Sequence, residues 1–284
     1  MGKILGFANQ KGGVGKTTSC VNLGASLVAL KQRVLIVDLD PQGNATMGSG
    51  VDKNALEYTI NEVLLGQAKI EQALITETEG GYALLPANGH LTEAEVSLLA
   101  QSRYEAQLKK ILAPLKARYD FIFIDCPPSL NALTLNALVA AQGVIIPMQC
   151  EYYALEGLSA LINTIEQIQN INPGLQIEGV VRTMYDPRSL LAKEVEQQLR
   201  RHFAKQLYKT IIPRNIRIAE APSFGVPVLL HDARSAGAQA YMSLAREFLR
   251  KTKLAKSPAL GRKAGRLASR GARQQKRRRV LSRV

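Results

Sequence analysis

Seven short, largely apolar runs, continuous rather than alternating in their apolarity, recur at 4–8, 34–37, 82–85, 121–124, 144–146, 177–181 and 209–212, the last two including Glu178 and Lys209-Thr210, separated by segments long enough for helices. Continuous apolarity over four or five residues is what a strand covered on both faces requires. The spacing therefore predicts an α/β fold with a doubly wound, mostly parallel sheet flanked by helices. Helical periodicity is read at 20–30, 103–113, 131–141, 155–170 and 189–202. A last helix is expected at 237–251, where Ala240, Tyr241, Leu244, Ala245, Phe248 and Leu249 form one stripe.

Charge divides the chain more sharply than hydropathy does. The net charge is +14, yet twelve of the 37 Lys and Arg and none of the 23 Asp and Glu fall at or beyond Lys253, so residues 1–252 carry only +2. The expected organisation is one domain over 1–252 followed by a basic tail, 253–284, with the composition of a disordered arm. Although 46% of residues are apolar, no stretch approaches the roughly 18 uncharged apolar residues of a membrane span. The opening residues read as a strand rather than a signal peptide. Three cysteines, Cys20, Cys126 and Cys150, form no C-x-x-C pair and are odd in number, which suits buried apolar filler in a reducing compartment.

The first strand runs into "KGGVGKTT", residues 11–18, and then a helix. Strand, glycine loop and helix in that order form a phosphate-binding unit. Gln10 stands where the usual G-x-x-x-x-G-K-[ST] pattern has its first glycine, and an additional lysine, Lys11, precedes the loop. Gly12, Gly13 and Gly15 let the backbone amides of Gly12, Gly13, Val14, Gly15, Lys16, Thr17 and Thr18 converge on phosphate oxygens. Lys16 is expected to bridge the outer phosphates, and the Thr17 hydroxyl to ligate Mg²⁺. Two further strands end in acids: "VDLDPQGNAT" places Asp38 at a strand end and Asp40 beyond it, and "FIFIDCPPS" ends in Asp125. Ligands of doubly wound sheets sit off the carboxyl ends of strands, so these acids are expected at the same crevice. Asp125 fits the role of holding the metal, and Asp40 that of orienting an attacking water.

At this point the chain resembles the ParA/MinD group of deviant Walker A P-loop ATPases, and within it the ParA (Soj-type) partition ATPases. The matching residues are "KGGVGKTT" (11–18), "VDLDPQGNAT" (37–46), "IDCPPS" (124–129), "QCEYYALEGL" (149–158), "TMYDPRS" (183–189) and "IPRNIRIAEAPSFGVPV" (212–228). The resemblance implies a Mg²⁺-dependent ATPase whose cofactors are ATP and Mg²⁺. It implies a homodimer that forms on ATP, with Lys11 reaching the phosphates held by the other subunit. It also implies adenine contacts at Pro213 and Asn215, and contacts from Arg188 and Arg217 to double-stranded DNA without sequence preference. A ParB-like centromere-binding partner would stimulate hydrolysis, and the protein would be cytoplasmic and nucleoid-associated.

The tail is expected to act as an electrostatic ligand for nucleic acid, without base stacking because no aromatic residue follows Phe248. Its sparse leucines and valines are interrupted by Pro258, Gly261, Gly265 and Gly271, so a MinD-like amphipathic anchor and stable membrane association are not expected. The cysteine positions match no shared iron–sulfur site. Three other readings of the same chain are open: an ATPase that positions a protein cargo such as a carboxysome or chemoreceptor cluster, a MinD-like membrane-associated ATPase, and a DNA-coating protein that binds nucleotide without turnover.

Overall fold

Each of the seven apolar runs is a strand in the computed structural model, which describes residues 2–256: β1 (Lys3–Phe7), β2 (Val34–Asp38), β3 (Ala83–Leu85), β4 (Phe121–Asp125), β5 (Gly143–Gln149), β6 (Gln176–Tyr185) and β7 (Leu207–Pro213). They form one sheet in the order β3-β2-β4-β1-β5-β6-β7, and every neighbouring pair is parallel. Leu5, Phe7, Leu35, Ile36, Val37, Ile122, Phe123, Ile124 and Ile145 are fully buried, as strands sandwiched between helix layers must be.

From β1 the chain steps outward to β2 and β3, returns to β4 beside β1, and then runs to β5, β6 and β7 on the other side. Right-handed crossovers place connections of opposite direction on opposite faces. The Lys16–Ala29 helix lies on one face, so close that a methyl at Gly24 would sit 2.9 Å from Ile36 Cδ1. The Ala132–Ala140 helix covers the other, with Leu133, Ala137 and Leu138 packed into the core that contains Ile4, Ile122 and Ile124. The register aligns Phe7 with Asp125 and Asp38 with Asp125, which brings the ends of β1, β2 and β4 to one level.

The last helix, Ala236–Lys256, begins close to the expected position and is fixed to β7 by Glu247, whose carboxylate accepts from Lys209 N (2.8 Å), Thr210 N (2.9 Å) and the Thr210 hydroxyl (2.8 Å). By contacts the chain divides into Met1–Glu247 and Phe248–Val284; of the second unit only the end of this helix is described, and the basic tail expected from Lys253 lies outside the described residues from 257 onward.

Two expectations need correction. The single helix expected at 103–113 is a 3₁₀ turn, Tyr104–Ala106, followed by a short helix, Gln107–Leu112. Arg103 adopts φ +56°, and the backbone N–H of Leu108 is captured by the Asn136 side chain at 3.1 Å, which favours a break over one continuous helix. A helix at Leu91–Leu99 was not expected; it buries Leu91, Ala94 and Leu98 on one face. Among the described residues, no helix is long and apolar enough to cross a membrane.

Candidate functional site

The loop between β1 and the Lys16–Ala29 helix turns through left-handed conformations at Gly13 (φ +72°) and Gly15 (φ +84°), which only glycine enters at little cost. Its start is fixed by Asn9, a buried side chain that donates to Pro147 O (2.8 Å) and accepts from Lys11 N (3.0 Å). The loop forms one wall of a cleft of about 530 Å³ at the carboxyl end of the sheet. Gly12, Gly13, Gly15, Lys16, Thr17 and Thr18 line it from one side, Asp40 and Asn44 from a second, and Met184, Pro213, Arg214, Asn215 and Ile218 from a third. Elements more than 200 residues apart in sequence thus meet at one cavity.

Lys16 is buried, and its ammonium donates to Lys11 O at 3.3 Å. Burial lowers its pKa, partly opposed by the charge of Asp125. Asp38 is fully buried and is not a free acid of the crevice. It accepts from the Thr46 hydroxyl (2.7 Å), Thr46 N (2.8 Å) and Asp40 N (3.2 Å). Burial nonetheless pushes it up to about 6. Thr46 in turn accepts from Ala87 N at 3.0 Å. Asp38 is therefore a brace that shapes the 40–46 segment, a role the strand-end position alone did not disclose. Asp40, set by this brace, lines the cleft and accepts from Gln42 N at 2.9 Å.

Asp125 differs from Asp38. It is fully buried, and neither carboxylate oxygen completes a hydrogen bond. Burial raises its pKa well above the ordinary carboxylate range, and the neighbouring Asp38 adds to the rise; the Thr17 hydroxyl and Lys16 oppose it. A buried carboxylate that completes no hydrogen bond by geometry, with the Thr17 hydroxyl as its nearby donor at the foot of a glycine loop, suits a hard cation with oxygen ligands. Thr17 and Asp125 thus fit Mg²⁺. Among the described residues no cluster of three or more His, Cys, Asp or Glu could hold a metal unaided.

Asn215 lines the cleft and caps the Ile216–Glu220 helix, its Oδ1 accepting from Ile218 N at 3.4 Å. Lys11 does not line the cleft; its ammonium is paired with Glu151 on the surface. The two arginines expected at DNA stand outside the cleft, each already paired with carboxylates. Arg188 makes a two-pronged contact with Asp186 (3.0 and 2.8 Å) and holds it down to about 2, while Arg217 pairs with Glu220 (2.9 Å) and Asp232 (3.5 Å). All three cysteines are buried, and burial raises each thiol pKa, to about 11 for Cys150.

The chain is similar to known proteins over most of its length. A sequence family described as an AAA domain matches residues 2–177. An uncharacterized protein of Pseudomonas putida is 60% identical over 252 residues, covering 88% of this chain and 96% of its own. The chromosome partitioning protein ParA of Myxococcus xanthus is 50% identical over 253 residues, covering 88% and 89%. A crystal structure from Mycobacterium smegmatis, titled cobyrinic acid a,c-diamide synthase with bound ADP and magnesium, aligns with a TM-score of 0.78 at 40% identity, covering 89% of this chain and 96% of its own.

The Asp38 brace yields a direct test. Thr46→Val removes a donor to a buried carboxylate and orphans Ala87 N, and is expected to cost about 2–4 kcal/mol of unfolding free energy, whereas Thr46→Ser should retain most of it. Urea denaturation of the two variants measures the difference; equal stability would mean the hydroxyl is not the brace.

Proposed function

This chain belongs to the ParA (Soj-type) family of partition ATPases, and on that premise we propose that it is a Mg²⁺-dependent ATPase that segregates DNA by pairing on ATP and releasing after hydrolysis. The observation that carries the reading is Asp125: a buried carboxylate that completes no hydrogen bond, near Thr17 and Lys16, at the foot of a glycine loop that lines a cleft.

In this reading ATP lies with its phosphates in the 12–18 loop and its base toward Pro213 and Asn215. Lys16 offsets the charge of the outer phosphates, and a buried ammonium does so far more strongly than a solvated one. Thr17 and Asp125 hold the metal, which supplies positive charge against that developing on the phosphoryl oxygens. Asp40, at the cleft wall on its own rigid turn, orients the water that attacks.

Lys11 completes the site of a second copy. In the single chain it is held by Glu151, and both side chains are roughly half exposed (41% and 48%). An ion pair that exposed is worth about 1 kcal/mol at most, so the lysine can be exchanged to a partner's phosphates cheaply. Arg188 and Arg217 are the cations assigned to the DNA contact, both exposed and both paired with carboxylates in the single chain. Because each is already paired, their DNA contribution is largest where a phosphate displaces or shares the carboxylate, which makes the contact weak and sequence-blind. A ParB-like DNA-bound partner stimulates the hydrolysis, and the protein works in the cytoplasm on the nucleoid.

Lys11→Ala is expected to bind ATP with near-normal affinity but to lose the ATP-dependent dimer and stimulated turnover, read by light scattering and phosphate release. An undiminished dimer would refute the cross-subunit role. Asp40→Ala should persist as an ATP-bound, DNA-bound dimer; fast turnover by that variant would remove Asp40 from the mechanism. Asp125→Asn is expected to stabilise the metal-free protein by about 1 kcal/mol or more at neutral pH, while abolishing Mg²⁺-dependent stabilisation. The sign comes from linkage: with its folded pKa raised, Asp125 costs stability progressively as pH climbs above about 4, so the gain should vanish in more acidic buffer. Thermal melts across pH, with and without Mg²⁺, decide it; an Asn variant that is less stable at every pH would contradict the unpaired carboxylate.

A further inference from the structure

We propose that Thr183 is a positioning residue of the phosphate cradle, its hydroxyl setting the orientation of the Val14–Gly15 peptide and so aiming the Gly15 N–H at the bound phosphates. The inference rests on the nucleotide reading of the cleft and adds to it a residue 169 positions away from the loop.

The Thr183 hydroxyl donates to Val14 O at 2.8 Å, with both residues buried. The described chain contains no cis peptide bond. In a planar trans peptide the carbonyl and the following N–H point in opposite directions, so a Val14 carbonyl held against Thr183 turns the Gly15 N–H away from it. The tether matters because the next residue is free to turn. Gly15 sits at φ +84°, and a glycine passes between positive and negative φ with little penalty. That freedom lets the Val14–Gly15 plane rotate, and the rotated form would present a carbonyl oxygen, rather than an amide, to an anion. Holding the carbonyl from outside removes the choice before any ligand arrives, which is how preorganised donors gain their advantage.

Both neighbours of Thr183 are anchored by side-chain contacts. Preceding Thr183, the guanidinium of Arg182 is fully buried, donates to Tyr208 O (2.7 Å) and Lys209 O (3.0 Å) on β7, and pairs with Glu196. On its other side, Met184 is held at φ +48°, with its sulfur 3.0 Å from the Gln149 side-chain amide. The hydroxyl thus sits between two neighbours tied to β7 and β5 respectively, although the β6–β7 register shifts between Arg182 and Tyr185.

The test compares calorimetric affinity for ATP and ADP in Thr183→Val, which keeps shape and loses the donor, and in Thr183→Ser, which keeps the donor. The Val variant is expected to bind both nucleotides roughly three- to tenfold more weakly, the worth of one neutral hydrogen bond, and the Ser variant to bind as the unaltered protein does. In nucleotide-free samples the Gly15 amide cross-peak should move in Val and stay in Ser, a readout that packing alone would not sort this way. If Val lowers the melting temperature, Thr183→Ala and Thr183→Ser replace it as a pair that differs only in the hydroxyl. Equal affinities within either pair would overturn the inference while leaving the nucleotide site intact. An unaltered protein that binds neither ATP nor ADP would instead overturn the site reading on which it rests.

Discussion

A carboxylate sealed at the end of β4 with no donor to satisfy it is the constraint around which the rest of the site is arranged. Burying a charge without a partner is costly, and Asp125 is placed beside a second buried acid, Asp38, one strand away. Such an arrangement survives only if the surrounding sheet is stable enough to carry it. Here the central strands, buried on both faces, provide that reserve. The two acids differ in what surrounds them: Asp38 takes three donors and becomes structure, whereas neither oxygen of Asp125 completes a hydrogen bond, which is what the proposed metal role draws on.

Preorganisation extends outward from that centre. Asn9 fixes the entry to the glycine loop, Thr183 its turn, and the Asp38–Thr46–Ala87 chain the segment that bears Asp40. Each anchor is a buried side chain speaking to backbone, so flexible glycines are given one conformation by neighbours remote in sequence. The burial that depresses Lys16 also strengthens whatever charge it meets, since the same loss of water acts on both.

The surface obeys another logic. Lys11, Arg188 and Arg217 are each engaged by carboxylates in the single chain, in pairs exposed enough to be given up at small cost. In the proposed cycle these contacts are exchanged for phosphates of a second subunit or of DNA, an exchange that the weak resting pairs do little to oppose.

All seven strands and the continuous glycine loop were legible in the sequence, because local apolarity and glycine spacing act over a few residues and do not wait for tertiary context. The short Ile60–Leu64 helix left a readable trace as well, a capping box formed by Thr59 and Glu62 that periodicity over so few residues passes over. The break at Arg103 and the capture of Leu108 N by Asn136 left none, since they depend on a side chain from another helix. What the residues by themselves determined, then, is the parallel α/β class, with a glycine loop after β1 and acids at the ends of β2 and β4. Only the tertiary structure decided that Asp38 is satisfied and Asp125 is not, that Lys11 rests on Glu151, and that Thr183 holds the loop. Hydrogen-bond satisfaction is a property of who lies within 3 Å in space, and strand register rather than sequence order sets that neighbourhood.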